Sequence, residues 1–292
     1  MPELPEVQTI VDDLNKAVKG LKITGVWTDW KKMVKQPKYD EFEKQLKGRE
    51  ILQARRRAKY ILIDLSDGKT LLIHQKISGH LLFGRWEIRN GKWEAAEKGP
   101  LRDDPQNRFI RFILLLDNGK MLALSDLRRF AKVLLVDTNK LNELKEIKEL
   151  GPEPLDKSFD FGKFREILKN KKGKIKTILM DQTVIAGIGN IYADEILWYA
   201  GINPLKRTEK LSENELKEIY KAIKKVLLIA INAKGDSMQD YRRLSGELGN
   251  YQYMQKAYQM TGEKCAKKDG GVIKKIRVGG RGTHFCPKHQ RL

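Results

Sequence analysis

Cysteine and long apolar runs are scarce in this sequence of 292 residues. Two cysteines are too few for a disulfide framework, and the chain has enough apolar residues for a core without one, which favours a cytoplasmic setting. The longest strongly apolar run, residues 226–231, is far shorter than the roughly 20 residues that cross a bilayer. Glu3 and Glu6 stand where a signal peptide has its basic start. We therefore expect a protein that is neither secreted nor bound to a membrane.

Acidic residues are outnumbered by basic ones. The chain has 58 Lys and Arg against 38 Asp and Glu, which gives a formal net charge of +20 at pH 7. Such an excess favours a polyanionic partner, because the summed field attracts negative charge. Since 40% of the residues are hydrophobic, the chain can bury substantial cores, which excludes intrinsic disorder as its main state.

Residues 20–136 alternate short β-rich runs with turn signals. Ser-Asp-Gly-Lys separates residues 60–65 from 70–74, and Asp-Asn-Gly separates 109–116 from 120–124, spacings that are typical of β-hairpins. We predict an antiparallel β-sandwich or barrel here. Apolar residues at helical spacing between positions 7 and 18 predict one amphipathic helix directly behind the N-terminus.

The pattern changes at the Gly-Pro-Glu-Pro segment of residues 151–154, and helical spacing follows to about residue 234. Ser212 and Glu215 form a capping-box sequence at the start of the clearest helix. From residue 251 the chain is basic and rich in glycine around its two cysteines. We therefore predict an α+β multidomain chain with a β-sandwich domain at 1–136, a helical domain at 137–250 and a small module at 251–292.

Candidate chemistry is concentrated at the N-terminus. Removal of Met1 would leave Pro2 as a secondary amine, and an α-amine with a pKa of about 7.7 to 8.0 is partly neutral at pH 7. Its attack on a sugar C1′ gives an iminium ion without an N–H, which stays cationic through later eliminations. Glu3 and Glu6 lie beside it as candidate acid and base. From the residues alone, a solvated N-terminal arm is the alternative.

The opening MPELPEV resembles the start of the formamidopyrimidine-DNA glycosylases, the bacterial family that excises oxidised purines from DNA. The resemblance continues, in the family's order, through most of the chain. It rests on the strings ARRRAKYILIDL at 54–65, SDLRRF at 125–130, LGPEPL at 150–155, LMDQTVIAGIGNIYADEIL at 179–197, AGINP at 200–204 and GGRGTHFCP at 279–287.

This resemblance implies a β-sandwich with an N-terminal helix, a helical helix-two-turn-helix domain and a C-terminal β-hairpin that is similar to a zinc finger. It makes Pro2 the Schiff-base nucleophile and Glu3 the acid that helps to open the ribose, with Glu6 beside them. Lys59 matches the family lysine near the scissile phosphates, and Arg281 matches the arginine that assists δ-elimination. From the residues alone, Lys59 is equally well interpreted as a solvated lysine beside a basic strand.

Extruding a base from duplex DNA costs about a few kcal/mol, and side chains that fill the gap offset this cost. The resemblance implies that these side chains are Ile77, Arg128 and Phe130. Ile77 stands where the family usually has methionine, and Lys76 where it usually has glycine. Isoleucine is stiffer but also apolar, so we expect base flipping to be retained. For Phe130, a buried core position is the alternative.

Further residues are candidates for phosphate contacts. Lys172, in the loop 171–174, matches a DNA-contacting lysine of the family, with a solvated loop as the alternative. The Gly-Ile-Gly-Asn turn at 187–190 is expected to open a helix whose N–H groups and Asn190 amide face a phosphate. The histidine-bearing segment that the family commonly has is absent at 107–111, where Arg108 or Arg111 are the candidates to replace it.

The C-terminal module departs from the two Cys-x-x-Cys pairs that the family usually shows, a four-thiolate zinc signature. Cys265 is followed by Asp269, and Cys286 is followed by His289. We expect these four residues to bind one zinc ion, more weakly than four thiolates would, since carboxylate and imidazole are also zinc ligands. A metal-free hairpin held by packing is the alternative.

Together these features predict a bifunctional DNA glycosylase and abasic-site lyase of base excision repair. It would flip and excise oxidised purines, such as 8-oxoguanine and formamidopyrimidines, and cut the strand by β,δ-elimination. We expect damaged double-stranded DNA as the partner, and a monomer associated with the nucleoid. Two alternatives stay open: a related enzyme that prefers oxidised pyrimidines or abasic sites, with base choice set by loops near 245–251, and a non-catalytic DNA-binding paralogue.

Overall fold

The computed structural model describes residues 1–292, which contacts divide into two compact units. The N-terminal unit comprises Met1–Lys148 and Ala233–Gln252, and the helical unit comprises Glu149–Asn232 and Tyr253–Leu292. A segment after the last long helix therefore returns to the N-terminal unit, and the C-terminal module joins the helical one. The domain limits at 136 and 250 stay predictions of the sequence.

Helix α1 opens the N-terminal unit and begins at Leu4 because Glu3 and Glu6 form a capping box. The Glu3 N–H donates to the Glu6 carboxylate at 2.8 Å, and the Glu3 side chain accepts the Glu6 N–H. The apolar face between positions 7 and 18 is buried, which confirms the predicted helix. The helices of this unit are α1 (Leu4–Ala17), α2 (Tyr39–Leu46), α3 (Pro100–Asp103) and α4 (Lys145–Lys148).

Two sheets form most of the N-terminal unit, one with the strand order β1-β9-β10-β6 and one with the order β2-β11-β5-β4-β3. Neighbours are antiparallel except β2 and β11, and both predicted hairpins, β4–β5 and β9–β10, are present. The strands are β1 (Ile23–Thr28), β2 (Val34–Gln36), β3 (Ile51–Arg57), β4 (Tyr60–Leu65), β5 (Lys69–His74), β6 (Gly79–Gly84), β7 (Trp86–Arg89), β8 (Lys92–Ala95), β9 (Ile110–Leu116), β10 (Met121–Asp126) and β11 (Lys132–Asp137).

The core of this unit lies between the two sheets. Side chains from both sheets and from α1 enter one buried cluster. Alternate positions of a strand contribute to it, for example Ile61, Ile63 and Leu65 of β4, as expected when one face of a strand lies on a core. The predicted sandwich is therefore confirmed.

The helical unit combines four helices with a C-terminal hairpin, and α7 packs against both α8 and β13. The capping box predicted for α8 is present: the Ser212 N–H donates to Glu215 at 2.9 Å, and the Glu215 N–H donates to Ser212 Oγ at 3.3 Å. None of the helices of the chain combines the length and the apolar character needed to cross a membrane. The elements are α5 (Phe161–Lys169), α6 (Ile175–Met180), α7 (Asn190–Ala200), α8 (Glu213–Asn232), β12 (Lys274–Val278) and β13 (Arg281–Phe285).

Candidate active site and nucleic-acid interface

Pro2, Glu3 and Glu6 come together at the head of α1, where all three are buried. The two oxygens of Glu6 accept backbone N–H groups, one from Glu3 and one from Asp236, each at 2.8 Å. Because both carboxylate oxygens accept backbone N–H groups, Glu6 is suited to orienting the N-terminus. The structure thus distinguishes the roles of the two candidate carboxylates, since the Glu6 carboxylate also binds Asp236, which lies more than two hundred positions away in the sequence.

The segment 233–252 packs closely against α1, a feature that sequence reasoning missed. Gly235 has φ +81, and a Cβ there would lie 2.9 Å from Glu6 Cγ; a Cβ at Gly249 would clash with the Gly235 carbonyl. Burial, reinforced by the charges of Glu6 and Asp13, raises the pKa of Tyr241 well above its usual value. The glycines were visible in the sequence, but their partners across the fold were not.

Lys59 lies in the turn between β3 and β4 and is only 6% exposed, so its interpretation as a solvated lysine is wrong. Nearby, His74 ends β5 and is also buried, and its Nδ1 accepts the Lys76 N–H at 3.0 Å. Burial and the positive charges of three lysines lower the pKa of His74 to about 3, which keeps it neutral. Those lysines are Lys76, Lys59 and Lys132. This concentration of positive charge suits a phosphate group.

Ile77, Arg128 and Phe130 lie on two turns of the N-terminal unit. Ile77 is half-buried between β5 and β6, whereas Arg128 and Phe130 are exposed between β10 and β11. Phe130 is 48% exposed, so the alternative of a core position is wrong. The Arg128 guanidinium lies 4.9 Å from the centroid of the Phe130 ring. A cation stacked on an exposed ring gives a projecting pair that is suited to contact with bases.

Two buried polar residues tie these turns together. Asp126 accepts the Ser78 hydroxyl at 2.5 Å and the Ala131 N–H at 2.8 Å. The Arg128 N–H in turn donates to Ser78 Oγ at 3.0 Å. The turn that carries Ile77 is therefore linked to the turn that carries Arg128. Sequence reasoning singled out the string SDLRRF but did not assign this positioning role to Asp126 and Ser78.

Arg108 and Arg111, the two candidates for a phosphate contact, differ in their surroundings. Arg111 forms an ion pair with Asp29 at 2.6 Å, and its side chain is 19% exposed. Arg108 is exposed and lies over the Phe109 ring at 5.1 Å. The structure therefore favours Arg108, since Arg111 already has an anionic partner.

In the helical unit, α7 begins at Asn190 with Gly189 as its N-cap, as predicted. The Gln182 side chain holds the preceding turn, because it accepts the Gly187 N–H at 2.9 Å and donates to the Ile188 carbonyl at 2.7 Å. The buried Oδ1 of Asn190 has no hydrogen-bond partner. As an acceptor this oxygen does not suit a phosphate, so a phosphate contact of Asn190 would use its Nδ2 donors and the N–H groups of the helix N-terminus, and it stays a prediction.

Lys172 and Arg281 are both exposed in the helical unit. Lys172 lies in the loop between α5 and α6, and Arg281 is the first residue of β13. Neither position distinguishes a DNA contact from a solvated side chain, so both roles stay predictions.

Cys265, Asp269 and Cys286 form a cluster in which two Sγ atoms and a carboxylate oxygen lie within 4.8 Å of one another. Gly271 allows this approach, since a Cβ there would clash with Cys286 Sγ and lie 2.9 Å from Asp269 Oδ1. Burial raises the pKa of the Cys286 thiol. The cluster is compatible with a metal ion and offers three of the four ligands of a structural zinc site.

His289, the predicted fourth ligand, lies outside this cluster. Its Nε2–H donates to the Trp198 carbonyl at 2.8 Å, and its ring packs edge-on against the Trp198 ring. Only its backbone N–H contacts the cluster, at 3.5 Å from Cys286 Sγ. The spacing from Cys286 suggested His289 as a metal ligand, but its imidazole is hydrogen-bonded to the Trp198 carbonyl of α7 instead.

Comparison with known families identifies both halves of the chain. Residues 1–133 match the formamidopyrimidine-DNA glycosylase N-terminal domain, and residues 150–242 match the H2TH domain of the same family. Curated proteins named formamidopyrimidine-DNA glycosylase are similar over nearly their whole length. That of Pelotomaculum thermopropionicum is 38% identical and covers 100% of both chains, and that of Herpetosiphon aurantiacus is 38% identical and covers 98% of both.

Solved structures agree with this result. The Lactococcus lactis Fpg in complex with DNA that contains an abasic site superimposes with a TM-score of 0.87 at 34% identity, covering 99% of this chain and 100% of that one. A MutM complex with DNA that contains carbocyclic 8-oxo-G superimposes with a TM-score of 0.86 at 33% identity over the whole of both chains. The predicted architecture, with its β-sandwich, helix-two-turn-helix domain and C-terminal hairpin, is thereby confirmed. The chain belongs to the formamidopyrimidine-DNA glycosylase family.

Proposed function

We propose that this protein is a bifunctional DNA glycosylase and abasic-site lyase that removes oxidised purines from duplex DNA. The observation that carries the proposal is the arrangement of Pro2 at the head of α1, with the buried carboxylates of Glu3 and Glu6 beside it. The relatives and the DNA complexes to which the chain is similar support the choice of substrate.

In the first step, the neutral amine of Pro2 attacks C1′ of the damaged nucleotide once Met1 has been removed. A bond forms between the proline nitrogen and C1′, and the bond from C1′ to the base breaks as the base leaves with a proton. Glu3 protonates the ring oxygen, so that the sugar opens to an iminium ion. Glu6 keeps the N-terminus in place through its two backbone hydrogen bonds.

Two eliminations then cut the strand. Loss of a C2′ proton expels the 3′ phosphate, and a further proton loss expels the 5′ phosphate, which leaves a one-nucleotide gap with a phosphate at each end. The lysine cluster around His74, which includes Lys59, and the exposed Arg281 supply positive charge for the departing phosphates. Release of the sugar fragment by hydrolysis of the iminium ion restores Pro2.

DNA binding uses the exposed pair of Arg128 and Phe130 together with Ile77 to occupy the space that the extruded base leaves. Lys172, Asn190 and Arg108 contact phosphates, which position the protein without reading sequence.

One zinc ion bound by Cys265, Asp269 and Cys286 would have a structural role, because it would link the turn before β12 to the residues after β13. Metal analysis of the purified protein tests this proposal. We expect about one zinc per chain, and a loss of most of it in Cys265→Ser, because a thiolate ligand is removed. A full metal content in that variant would contradict it.

Borohydride trapping tests the main proposal. The substrates are duplexes with 8-oxoguanine opposite cytosine, with an abasic site and with an oxidised pyrimidine, and the adduct is mapped by mass spectrometry. We expect a reduced adduct on Pro2 from the 8-oxoguanine duplex. Protein that retains Met1 is the control and should give none.

Each other outcome selects an alternative. Trapping on the abasic duplex alone would show a lyase without demonstrated base excision. A preference for the oxidised-pyrimidine duplex would show that the substrates are oxidised pyrimidines, not oxidised purines. No adduct on any duplex, with a free Pro2 confirmed, leaves a non-catalytic DNA-binding protein.

A further inference from the structure

A buried ion cluster joins two helices of the helical unit to the hairpin strand β13. Lys176 of α6 and Asp194 of α7 form an ion pair at 2.7 Å, and both side chains are fully buried. The Asp194 carboxylate also accepts two hydrogen bonds from His284 of β13, one from the backbone N–H at 2.9 Å and one from Nδ1 at 3.1 Å. We call Lys176, Asp194 and His284 the hairpin anchor.

The Lys176 ammonium completes the link to the strand. It donates to Thr283 Oγ1 at 2.8 Å and to the Gly282 carbonyl at 3.1 Å, in addition to its contact with Asp194. The ammonium therefore has two hydrogen-bond acceptors on β13 beside its ion pair with Asp194. Unpaired charges are costly in a protein interior, so a shift of β13 against α6 and α7 is strongly opposed.

The neighbouring residue of α7 fixes the segment that leads into the hairpin. Glu195 is fully buried, and its carboxylate accepts the backbone N–H groups of residues 256, 257 and 258 at 2.9 to 3.1 Å. The ring of Tyr258 then packs edge-on against His284 with 5.2 Å between ring centroids. The hairpin is thus held to α7 from two directions.

The anchor acts on the residues that directly follow Arg281. Lys176 binds Gly282 and Thr283, and the Thr283 hydroxyl donates to the Arg281 carbonyl at 3.2 Å. The Arg281 side chain itself is exposed. Its backbone is therefore fixed while its guanidinium is free to meet a phosphate. Cys286 of the metal cluster lies beyond the other end of β13.

We propose that the hairpin anchor positions Arg281 for the second elimination step. The proposal rests on the lyase function proposed above. A guanidinium that stabilises a departing phosphate has to be held within about 0.5 Å of its productive place, and the fixed backbone of β13 provides that support. Lys176 and Asp194 are positioning residues, because they act through the strand.

The test compares β- with δ-elimination in two variants. Asp194→Asn keeps the shape of the side chain but removes its charge, and Lys176→Met/Asp194→Asn removes both charges so that none is left unpaired. On an 8-oxoguanine duplex, the β product ends in an unsaturated aldehyde and the δ product in a 3′ phosphate, and the two separate on a gel. We expect δ-elimination to fall by at least about tenfold in both variants, while base excision stays within about twofold of the unmodified protein.

A second readout needs no DNA. Amide hydrogen exchange at residues 282–284 should accelerate in both variants, because these amides lose their support. The control is Lys221→Met/Glu218→Gln, which removes an exposed ion pair of 2.8 Å from α8 and should change neither measurement.

Two results would overturn the proposal. The first is an unchanged product ratio in the double variant with its fold intact. The second is a parallel loss of excision and δ-elimination, which would indicate a general structural role. If the unmodified protein cuts no strand, the proposed function itself fails, and hydrogen exchange still measures whether the anchor holds the hairpin.

Discussion

Each unit has a buried helical carboxylate that binds backbone N–H groups of a segment distant in the sequence. In the N-terminal unit, Glu6 of α1 holds Asp236. In the helical unit, Glu195 of α7 holds residues 256–258. The difference lies in the neighbouring residues: Glu6 has Pro2 close by in the chain, whereas Glu195 has Asp194 and its ion pair with Lys176.

The same type of hydrogen-bonded carboxylate therefore supports different parts of the protein in the two units. A carboxylate that accepts backbone N–H groups fixes a chain segment without using a side chain of that segment. Beside Glu6 the fixed segment lies at the head of α1, near Pro2, the proposed nucleophile. Beside Glu195 it leads into a hairpin that presents an exposed arginine. Each unit therefore combines a rigid support with one residue to which we assign a chemical step in the proposed function.

Retention of Met1 removes the reactive group of the N-terminal unit and leaves its support intact. We expect base excision and strand cleavage to fall by at least about 10³-fold, because an amide nitrogen is not a nucleophile. The unfolding temperature should not change, since Glu6 keeps both hydrogen bonds. Single-turnover cleavage of an 8-oxoguanine duplex measures the effect. Residual cleavage near the normal rate would mean that another group attacks C1′.

Glu195→Gln weakens the support of the helical unit. One oxygen of Glu195 accepts all three N–H groups and the other accepts only the Lys256 N–H, so glutamine places an NH2 donor opposite the Lys256 N–H and removes the charge that strengthens all of these bonds, at a cost of about 1–3 kcal/mol. Glu6→Gln, the matched change in the N-terminal unit, should cost a similar amount but also slow base excision, because the segment near Pro2 shifts. Denaturant unfolding and single-turnover excision compare the two variants. An equal loss of base excision in Glu6→Gln and Glu195→Gln would contradict the different roles that we assign to these two carboxylates.

The stability effect of Glu195→Gln should also depend on pH. Burial raises the pKa of Glu195 to about 7 from an ordinary value of 4.5, so the folded state binds this proton more tightly than the unfolded state does. Its contribution to stability is therefore full below about pH 4.5 and is lost as the pH rises through 7, by at most about 3 kcal/mol. The stability advantage of the unmodified protein over Glu195→Gln should shrink over this range. Glu218→Gln, at an exposed site, is the control for the loss of a carboxylate.

Phe130→Ala tests an exposed side chain on a segment that neither Glu6 nor Glu195 binds. We expect the affinity for a damaged duplex to fall about tenfold, since loss of base stacking costs about 1–3 kcal/mol. The unfolding free energy should stay the same because the ring is 48% exposed. Fluorescence anisotropy with an abasic duplex measures the affinity. A large loss of stability would restore the interpretation of Phe130 as a core residue.

Arg108→Ala should have the smallest effect. Loss of one phosphate contact lowers the slope of log affinity against log salt by about 1, without changing the preference for a lesion. Arg111→Ala is the comparison, and it should weaken stability more than the salt slope because it breaks the ion pair with Asp29. A salt titration of both variants decides which arginine meets the phosphate.

Local sequence signals predicted the individual elements well. The Asp-Asn-Gly turn between β9 and β10 and the capping box at Ser212 work over a few residues, so their outcome depends little on the rest of the chain. The Gly-Ile-Gly-Asn turn before α7 was predicted for the same reason. These signals also placed Pro2 and Glu3 at the head of a helix.

Partners far apart in the sequence were not predictable in this way. Nothing local indicates that Ser78 meets Asp126, or that Glu6 meets Asp236, because each contact depends on how sheets and loops pack. His289 is the converse case, since its spacing from Cys286 suggested a metal ligand. The imidazole binds the Trp198 carbonyl because α7 presents an acceptor at that position.

The sequence by itself determined the hairpins, the helix starts, the basic charge and the motifs of the family, because each depends on residue type and short spacing. Only the tertiary structure decided that Lys59 and His74 are buried together, that Arg111 is paired while Arg108 is exposed, and that Lys176 reaches β13. The physical reason is that burial and ion pairing are properties of neighbours in space. Those neighbours come from distant parts of the chain.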